Sequence, residues 1–316
     1  PDPETGALHL HLNTGKRSIV GQVGDEVVDR LVTGADIVLQ SAADIDPDGI
    51  EDTHPGLVLV SVTSFGLTGR YNWCRGEEIV HYAMGGPMSA SGDPEREPLK
   101  MGGDIGQYQC GTLAATATLA AVASQRRNGR SIHVDISNVD TQVTSIDRRM
   151  TYLLYKAYRG ENVPRSGGYT RSIFPGGCRP ALDGHVQVST LMNWLPRMIA
   201  VMDDAEMSSL YEDPAWFLNE GLPEIADGRL LAWTLGREKQ QAMEEAQAGG
   251  WPITAVNRPI DLLSDPHFAQ RGFFSEIAQS NAGPTLQPGA PIRIDDGGVA
   301  DRPAPTIGQH QTELET

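Results

Sequence analysis

"SIHVDISNVDTQVTS", residues 131–145, changes its period halfway along. Ile132, Val134 and Ile136 alternate with His133 and Asp135, which predicts a β-strand with one apolar face and Asp135 turned away from it. From Val139 the spacing becomes helical. Val139, Val143, Ile146, Met150 and Leu153 form one stripe, expected to be buried, and Asp140, Thr144 and Asp147 share the opposite one. A strand that runs directly into a helix is the repeating unit of a parallel α/β sheet. The carboxyl ends of such strands are where these sheets place ligands, and Asp140 sits at that junction.

Two readings of Asp140 stand side by side. Ser137-x-x-Asp140 is close to a capping box, and an acidic residue in a first helical turn is favoured by the helix dipole. The same position suits a carboxylate nucleophile, kept ionised by that field.

Outward from this point the alternation of elements continues. "GTLAATATLAAVASQRRNG" (111–129) is an Ala-rich helix with Leu113, Leu119 and Val122 as its larger side chains, and its small residues predict deep packing on nearly all sides. Arg126 and Arg127 suit its last turn and Gly129 ends it. Upstream, "GLVLVSVTSFG" (56–66) and residues 36–40 read as buried strands. Val23, Val27, Val28, Leu31 and Val32 mark a helix that stops at Gly34, expected in a left-handed C′ position. The pattern is that of an α/β domain.

Downstream, residues 164–183 are rich in Gly, Pro and Arg without a period, a linker or a functional loop. "HVQVST" then reads as a strand, and "WLPRMIAVM" and "RLLAWTLGREKQQAMEEAQAGG" as helical segments, the first with Pro196 in its opening turn. The C-terminal "GAPIRIDDGG" and "RPAPTIGQHQTELET" mix short β-like runs with turns. Three blocks follow: 1–163, the N-terminal part of a large α/β domain; 164–275, linker and small domain; 276–316, a C-terminal segment returning to the large domain.

Composition narrows the function classes. With 316 residues, 39% hydrophobic and 21% charged, the chain can bury a substantial core. Its three cysteines have no paired spacing, which points to a reducing compartment and a cytoplasmic location. No run approaches the roughly 20 apolar residues of a membrane span, and "PDPETGALHL" lacks the pattern of a signal peptide. Lys and Arg number 25 against 41 Asp and Glu, a net charge of −16 that repels polyanions and argues against nucleic-acid binding. An anionic ligand must therefore be met by a local basic cluster. Arg70 and Arg75 are candidates, with the ordinary surface cation as the competing reading. No metal spacing is present: the eight histidines are scattered, and His9 and His11 read as one face of an extended, solvated segment. Gly85-Gly86-Pro87 matches neither a Walker loop nor a dinucleotide fingerprint.

The string "NGRSIHVDISNVD", with "SFGLTGRYNWCRGEEIVHYAMGGPMSASGDPEREPLKMGGDIG" before it, resembles the family III CoA-transferases, the CaiB/BaiF family that includes the formyl-CoA and carnitine CoA-transferase group. "LNTGKRS" (12–18), "DPHFAQRGFFSEI" (265–277), "GAPIRI" (289–294) and "APTIGQH" (304–310) extend the resemblance, in consistent order, over residues 9–310. It implies a Rossmann-like large domain formed by both chain ends, a smaller α/β domain between them, and a homodimer of interlocked subunits. It implies transfer of CoA from an acyl-CoA thioester to a carboxylic acid through an aspartyl-CoA intermediate. The nucleophile falls on Asp140, and a basic pair near the nucleotide falls on Lys16 and Arg17. Coenzyme A enters as substrate, with no permanently bound cofactor. Gln107 and Tyr108 are candidate oxyanion or pocket residues, with packing against the Ala-rich helix as the favoured alternative.

Three departures accompany the resemblance. The family's first strand and turn have no counterpart here. Its turn after the strand ending at Gln40 is replaced by "SAADIDPDG", and its glycine-rich loop has only Gly176 and Gly177 as a loose counterpart. Two other functions stay open. An α-methylacyl-CoA racemase would need a histidine where Glu77 stands, with Asp104 as its paired Asp. A non-catalytic CoA-binding partner subunit is the third reading.

Overall fold

The alternation in residues 132–137 builds the strand it predicts, and the chain enters a helix directly after it. The computed structural model describes residues 6–42, 44–144, 148–163, 165, 175–190, 192–212, 221–292 and 302–315. Its elements fall into two units, Pro1–Arg165 with Phe274–Thr316, and Ser166–Phe273.

The first unit runs α1 (Ala7–Leu12), α2 (Glu26–Thr33), β1 (Ile37–Gln40), α3 (Ile50–Thr53), β2 (Val58–Thr63), α4 (Glu78–Met84), α5 (Pro87–Ala90), α6 (Ile105–Asn128), β3 (Ile132–Ser137), α7 (Asn138–Thr144) and α8 (Arg148–Arg159). The three strands make a parallel sheet in the order β1-β2-β3, with Val58 opposite both Ile37 and Ile132 and Thr63 opposite Ser137. Both faces are covered, as parallel sheets require. Leu59 packs with Ile45, Ile50 and Leu57 on one side. Val58 and Val60 pack with Ile132, Val134 and Ile136, and with Ala121 of α6, on the other.

The second unit holds β4 (Gly177–Ala181), β5 (Gly184–Val188), α9 (Leu195–Met202), α10 (Ala205–Glu212), α11 (Leu222–Leu235), α12 (Lys239–Ala248), β6 (Ile253–Ala255), α13 (Pro259–Ser264) and α14 (Pro266–Gln270). Its strands are antiparallel in the order β4-β5-β6. Val186, Met198, Leu230 and Trp251 form its core. The Trp251 indole is satisfied there by donating to Thr190 Oγ1 at 2.8 Å. Pro196 lies in the first turn of α9, where its missing N–H loses no bond.

The chain then returns to the first unit as the hairpin β7 (Phe274–Gln279) and β8 (Gly283–Pro288), and ends in α15 (Gln311–Glu315). Thr14 donates to Gln287 Oε1 at 3.3 Å and the Gly15 N–H to the Arg302 carbonyl at 3.1 Å. The Ser18 N–H donates to His310 Nδ1 at 3.1 Å, and the His310 N–H returns to the Ser18 carbonyl at 2.9 Å. The two ends of the sequence are thus tied by backbone bonds within one unit.

Four sequence expectations are corrected. Gly34 ends α2 with φ −91°, outside the left-handed region, its N–H donating to the Arg30 carbonyl at 3.1 Å. His9 and His11 lie on a helix, not an extended segment; the His9 carbonyl accepts the Asn13 N–H. The Ala-rich helix buries one row, Gly106, Cys110, Ala114, Thr118 and Ala121, and leaves Leu113 and Leu119 exposed in the single chain. The stripe after β3 is also interrupted. Val139 is buried, but Val143 is exposed, because α7 turns Thr141 and Gln142 inward against α4 and α6, and Leu153 is exposed on α8. Ile146, Asp147 and the side chain of Met150 lie outside the described residues, as do residues 166–174 of the Gly/Pro/Arg-rich segment and 293–301 of the C-terminal one.

Among the described residues, no helix is long and apolar enough to cross a membrane.

Candidate active site

Parallel pairing brings the ends of β2 and β3 level, and the chain leaves β3 through Ser137. Ser137 is buried, and its Oγ accepts the Asp140 N–H at 3.1 Å. The Thr141 hydroxyl donates to the Ser137 carbonyl at 3.0 Å and the Thr144 hydroxyl to the Asp140 carbonyl at 3.1 Å. This is an N-cap of the kind worth about 1 kcal/mol. The Asp140 side chain is exposed, and the reciprocal bond of a capping box is not made. Asp135 has a different occupation: its carboxylate accepts the Leu67 N–H, at 3.0 Å on Oδ2 and 3.3 Å on Oδ1, and so holds the turn after β2 against β3.

Beside this junction lies a cavity of about 700 Å³ at the carboxyl ends of β1 and β2. Ser41, Thr63, Ser64, Cys74, Arg75 and Glu77 are among its walls. The Ser64 carbonyl accepts the Val139 N–H at 3.2 Å, so the cavity wall and the first turn of α7 are joined by a backbone bond. The buried oxygens Thr63 Oγ1 and Asn138 Oδ1 have no partner among the described residues. Hydrogen-bonding capacity is thus left open at the strand ends.

Behind the cavity, α4 inserts Glu78 and His81, both buried. The Glu78 carboxylate accepts the Gly106 N–H at 2.8 Å and the Gln107 N–H at 3.1 Å, so a side chain from α4 caps the start of α6. Lys100 Nζ stands 4.0 Å from it. The His81 ring is packed edge-on to Phe65 and against Gly76, where a Cβ would fall 2.4 Å from Nε2. Neither ring nitrogen has a partner among the described residues. Burial pushes the His81 pKa below its ordinary 6.5, with the Glu78 charge opposing the shift in part.

The sign of the linkage follows from that depression. The unfolded chain takes up a proton near pH 6.5 that the folded chain refuses, so stability is full above that pH and falls as the pH drops below it. The stability of His81→Leu should lose up to about 1.4 kcal/mol per pH unit of the slope below pH 6.5. Urea unfolding across that range checks this; an unchanged slope in the variant would sink the assignment.

Cys110, buried on α6, has its thiol pKa raised by burial, against a weaker lowering by the Thr141 hydroxyl; it stays a neutral thiol beside α7.

The other sequence-predicted residues are dispersed. Gln107 and Tyr108 belong to the first turn of α6 itself, with side chains exposed in the single chain, and that turn buries Gly106. Lys16 and Arg17 are exposed on the turn after α1, where Lys16 Nζ donates to Asn13 Oδ1 at 3.1 Å. Arg75 lines the cavity. Arg70 is exposed, 5.9 Å from the centre of the Tyr71 ring. Gly176 is buried and Gly177 opens β4 at φ 94°, both in the second unit. Glu77 is exposed on the cavity wall and Asp104 is exposed at the start of α6. No group of three or more His, Cys, Asp or Glu suited to a metal ion occurs among the described residues.

Sequence reasoning passed over Glu78, His81 and Gln142. The glycines that admit them, Gly76, Gly85 and Gly106, were the available signal, since each lacks a side chain where one of these three approaches.

A family model described as CoA-transferase family III matches residues 2–311. The succinate–glutarate CoA-transferase of Agrobacterium fabrum is 27% identical over 98% of this chain and 80% of that protein. The formyl-CoA:oxalate CoA-transferase of Streptomyces avermitilis is 25% identical over 99% of this chain and 82% of that protein. A solved CAIB/BAIF family protein from Brucella suis has the same fold, with a TM-score of 0.79 and 24% identity over 98% of this chain and 84% of that one. A match along nearly the full length, on a mixed α/β fold shared with that structure, settles the family: the chain belongs to the family III CoA-transferases.

Proposed function

We propose that this enzyme moves CoA from an acyl-CoA thioester to a carboxylic acid with Asp140 as the covalent nucleophile. The observation that carries the reading is the setting of Asp140. Ser137 supplies the cap of α7, which leaves at the end of a parallel strand an exposed carboxylate with no partner among the described residues, one residue from the bond that joins α7 to the cavity wall.

The steps balance without an external base. A carboxylate oxygen of Asp140 bonds to the thioester carbonyl carbon and the C–S bond breaks, giving a mixed anhydride and CoA thiolate. The thiolate attacks the Asp140 carbonyl carbon, the donor acid leaves as its carboxylate, and an aspartyl-CoA thioester remains. The acceptor carboxylate displaces the thiolate again, and the thiolate then takes the acceptor's acyl carbon and restores Asp140. Oxyanions form at each stage, and Gln107 and Tyr108, exposed on the first turn of α6, are the candidate donors to them. Glu77 stands where a racemase would need its histidine, which favours transfer over racemisation.

The relatives named above act on succinate, glutarate, formyl-CoA and oxalate, so a panel of succinyl-CoA and formyl-CoA against short dicarboxylic acids is the first screen. Incubation with a productive acyl-CoA should leave CoA or the acyl group on the peptide holding Asp140, with Asp135 unmodified; a productive donor that labels another residue would refute the reading.

We assign Lys16, Arg17 and, on the cavity wall, Arg75 to the phosphates of CoA. Replacing Lys16 and Arg17 with alanine should raise KM for the acyl-CoA about tenfold with kcat retained, the scale of one lost ionic contact. The defect should shrink for thioesters lacking the 3′-phosphate; equal defects with and without that phosphate would show the pair is elsewhere.

The Rossmann-like arrangement of the large domain and an interlocked homodimer belong to the same proposal. Its support is the apolar surface that a single chain leaves open, Leu119 at 71% and Tyr158 at 85% exposure. Sedimentation should find a dimer at micromolar concentration that does not exchange subunits without unfolding, and a folded monomer there would remove the interlocked architecture.

A further inference from the structure

Two residues beyond Asp140, Gln142 is 0% exposed. Its side-chain amide donates to the Gly106 carbonyl at 3.2 Å. The N–H of that same peptide unit, on Gln107, donates to Glu78 Oε2 at 3.1 Å. One peptide plane at the start of α6 is therefore held at both ends, by an amide donor from α7 and a carboxylate acceptor from α4. Polarisation along such a chain strengthens each bond.

Two glycines allow the three helices to meet. A Cβ on Gly106 would lie 2.8 Å from Gln142 Nε2 and 3.1 Å from Glu78 Oε1, and one on Gly85 would lie 2.2 Å from the Gln142 Cβ. An apolar side chain of similar length would fill the same space without desolvating an amide. Gln142 leaves its Oε1 with no partner among the described residues, a burial cost that packing does not explain.

What the amide adds is direction. Successive helical residues turn by roughly 100°, so positions two apart face opposite ways. A Gln142 bonded inward therefore turns Asp140 outward, as observed. Apolar contacts tolerate small turns of a helix about its axis, whereas a hydrogen bond does not.

We propose that Gln142 is a positioning residue for the transfer reaction: its bond to Gly106 sets the rotation of α7 and so the direction from which the Asp140 carboxylate attacks. This rests on Asp140 being the nucleophile.

Gln142→Met keeps the volume and removes the donor. The expected result is a kcat lower by about ten- to a hundredfold, the scale of a reacting group misplaced by a fraction of an ångström, with KM for the acyl-CoA within about twofold. The rate at which the Asp140 peptide is labelled in a single turnover should fall by the same factor. Thermal stability should be unchanged or higher, since an unpaired buried oxygen is gone. A structural role predicts the reverse, a lower melting temperature with kcat and the labelling rate intact, and that result overturns the proposal; Gln142→Leu gives the same contrast should the Met variant fold poorly. The unaltered enzyme is labelled in parallel. If it transfers CoA with no adduct on Asp140, the nucleophile reading falls and this inference with it, whereas an adduct forming at the normal rate in the variant removes this inference alone.

Discussion

Asp140→Asn should lower CoA transfer by about a thousandfold or more, the order expected when a covalent nucleophile is lost, while the protein folds as before. The cap does not depend on the side chain being removed. Ser137 Oγ accepts the backbone N–H of residue 140, a bond that Asn keeps. What Asn gives up in stability is the interaction of a carboxylate with the start of a helix, about 0.3–1 kcal/mol. Circular dichroism and thermal melts separate the two effects, and intact mass confirms that the Asn has not deamidated back to Asp. KM for the acyl-CoA should change little, because the amide fills the same place without attacking. Transfer at the normal rate by an Asn enzyme of verified mass would show that the residue is only a helix-start carboxylate and that the covalent mechanism is wrong.

The second large effect is on folding. A Cβ at Gly85 would stand 2.2 Å from the Gln142 Cβ, 3.0 Å from the His81 carbonyl oxygen and 3.1 Å from the Val139 carbonyl oxygen. Two of these three are backbone, so no rotamer change relieves them. Gly85→Ala must push α4 and α7 apart, at a cost of about 3 kcal/mol, the upper part of the range for overpacking a close-packed contact. In a unit of this size that lowers the melting temperature by on the order of 10 °C. Transfer should fall with it, because the helix displaced is the one that carries Asp140. φ at Gly85 is −71°, which alanine adopts freely, so a large loss reports the contact between the helices and not backbone strain. A melting temperature within about 2 °C of the unaltered protein would mean that α4 and α7 are not packed as closely as described.

The sequence by itself determined the elements that answer to their own neighbours. Ile132, Val134 and Ile136 specify a strand whatever lies across from them, since alternation is a property of the pleat. Ser137 caps the following helix through a bond to its own third neighbour, and Gly129 closes α6 at φ 70° because it alone lacks the Cβ that resists that conformation. The place of Asp140 at a strand–helix junction was legible for the same reason.

The tertiary structure decided which residues of those elements face one another. Helical spacing groups Val143 with Val139, yet Val143 lies exposed while the polar Gln142 is buried, because the inward side of α7 is chosen by the gaps at Gly85 and Gly106. Glu78 caps a helix that begins 27 residues later in the chain, and the turn bearing Lys16 and Arg17 is held by the far C-terminal segment, at Arg302 and His310. Periodicity and caps are written in residues a few positions apart, so they can be read along the chain. A partner across space is selected by the shape and unpaired polar groups of another element, and no run of adjacent residues carries that information.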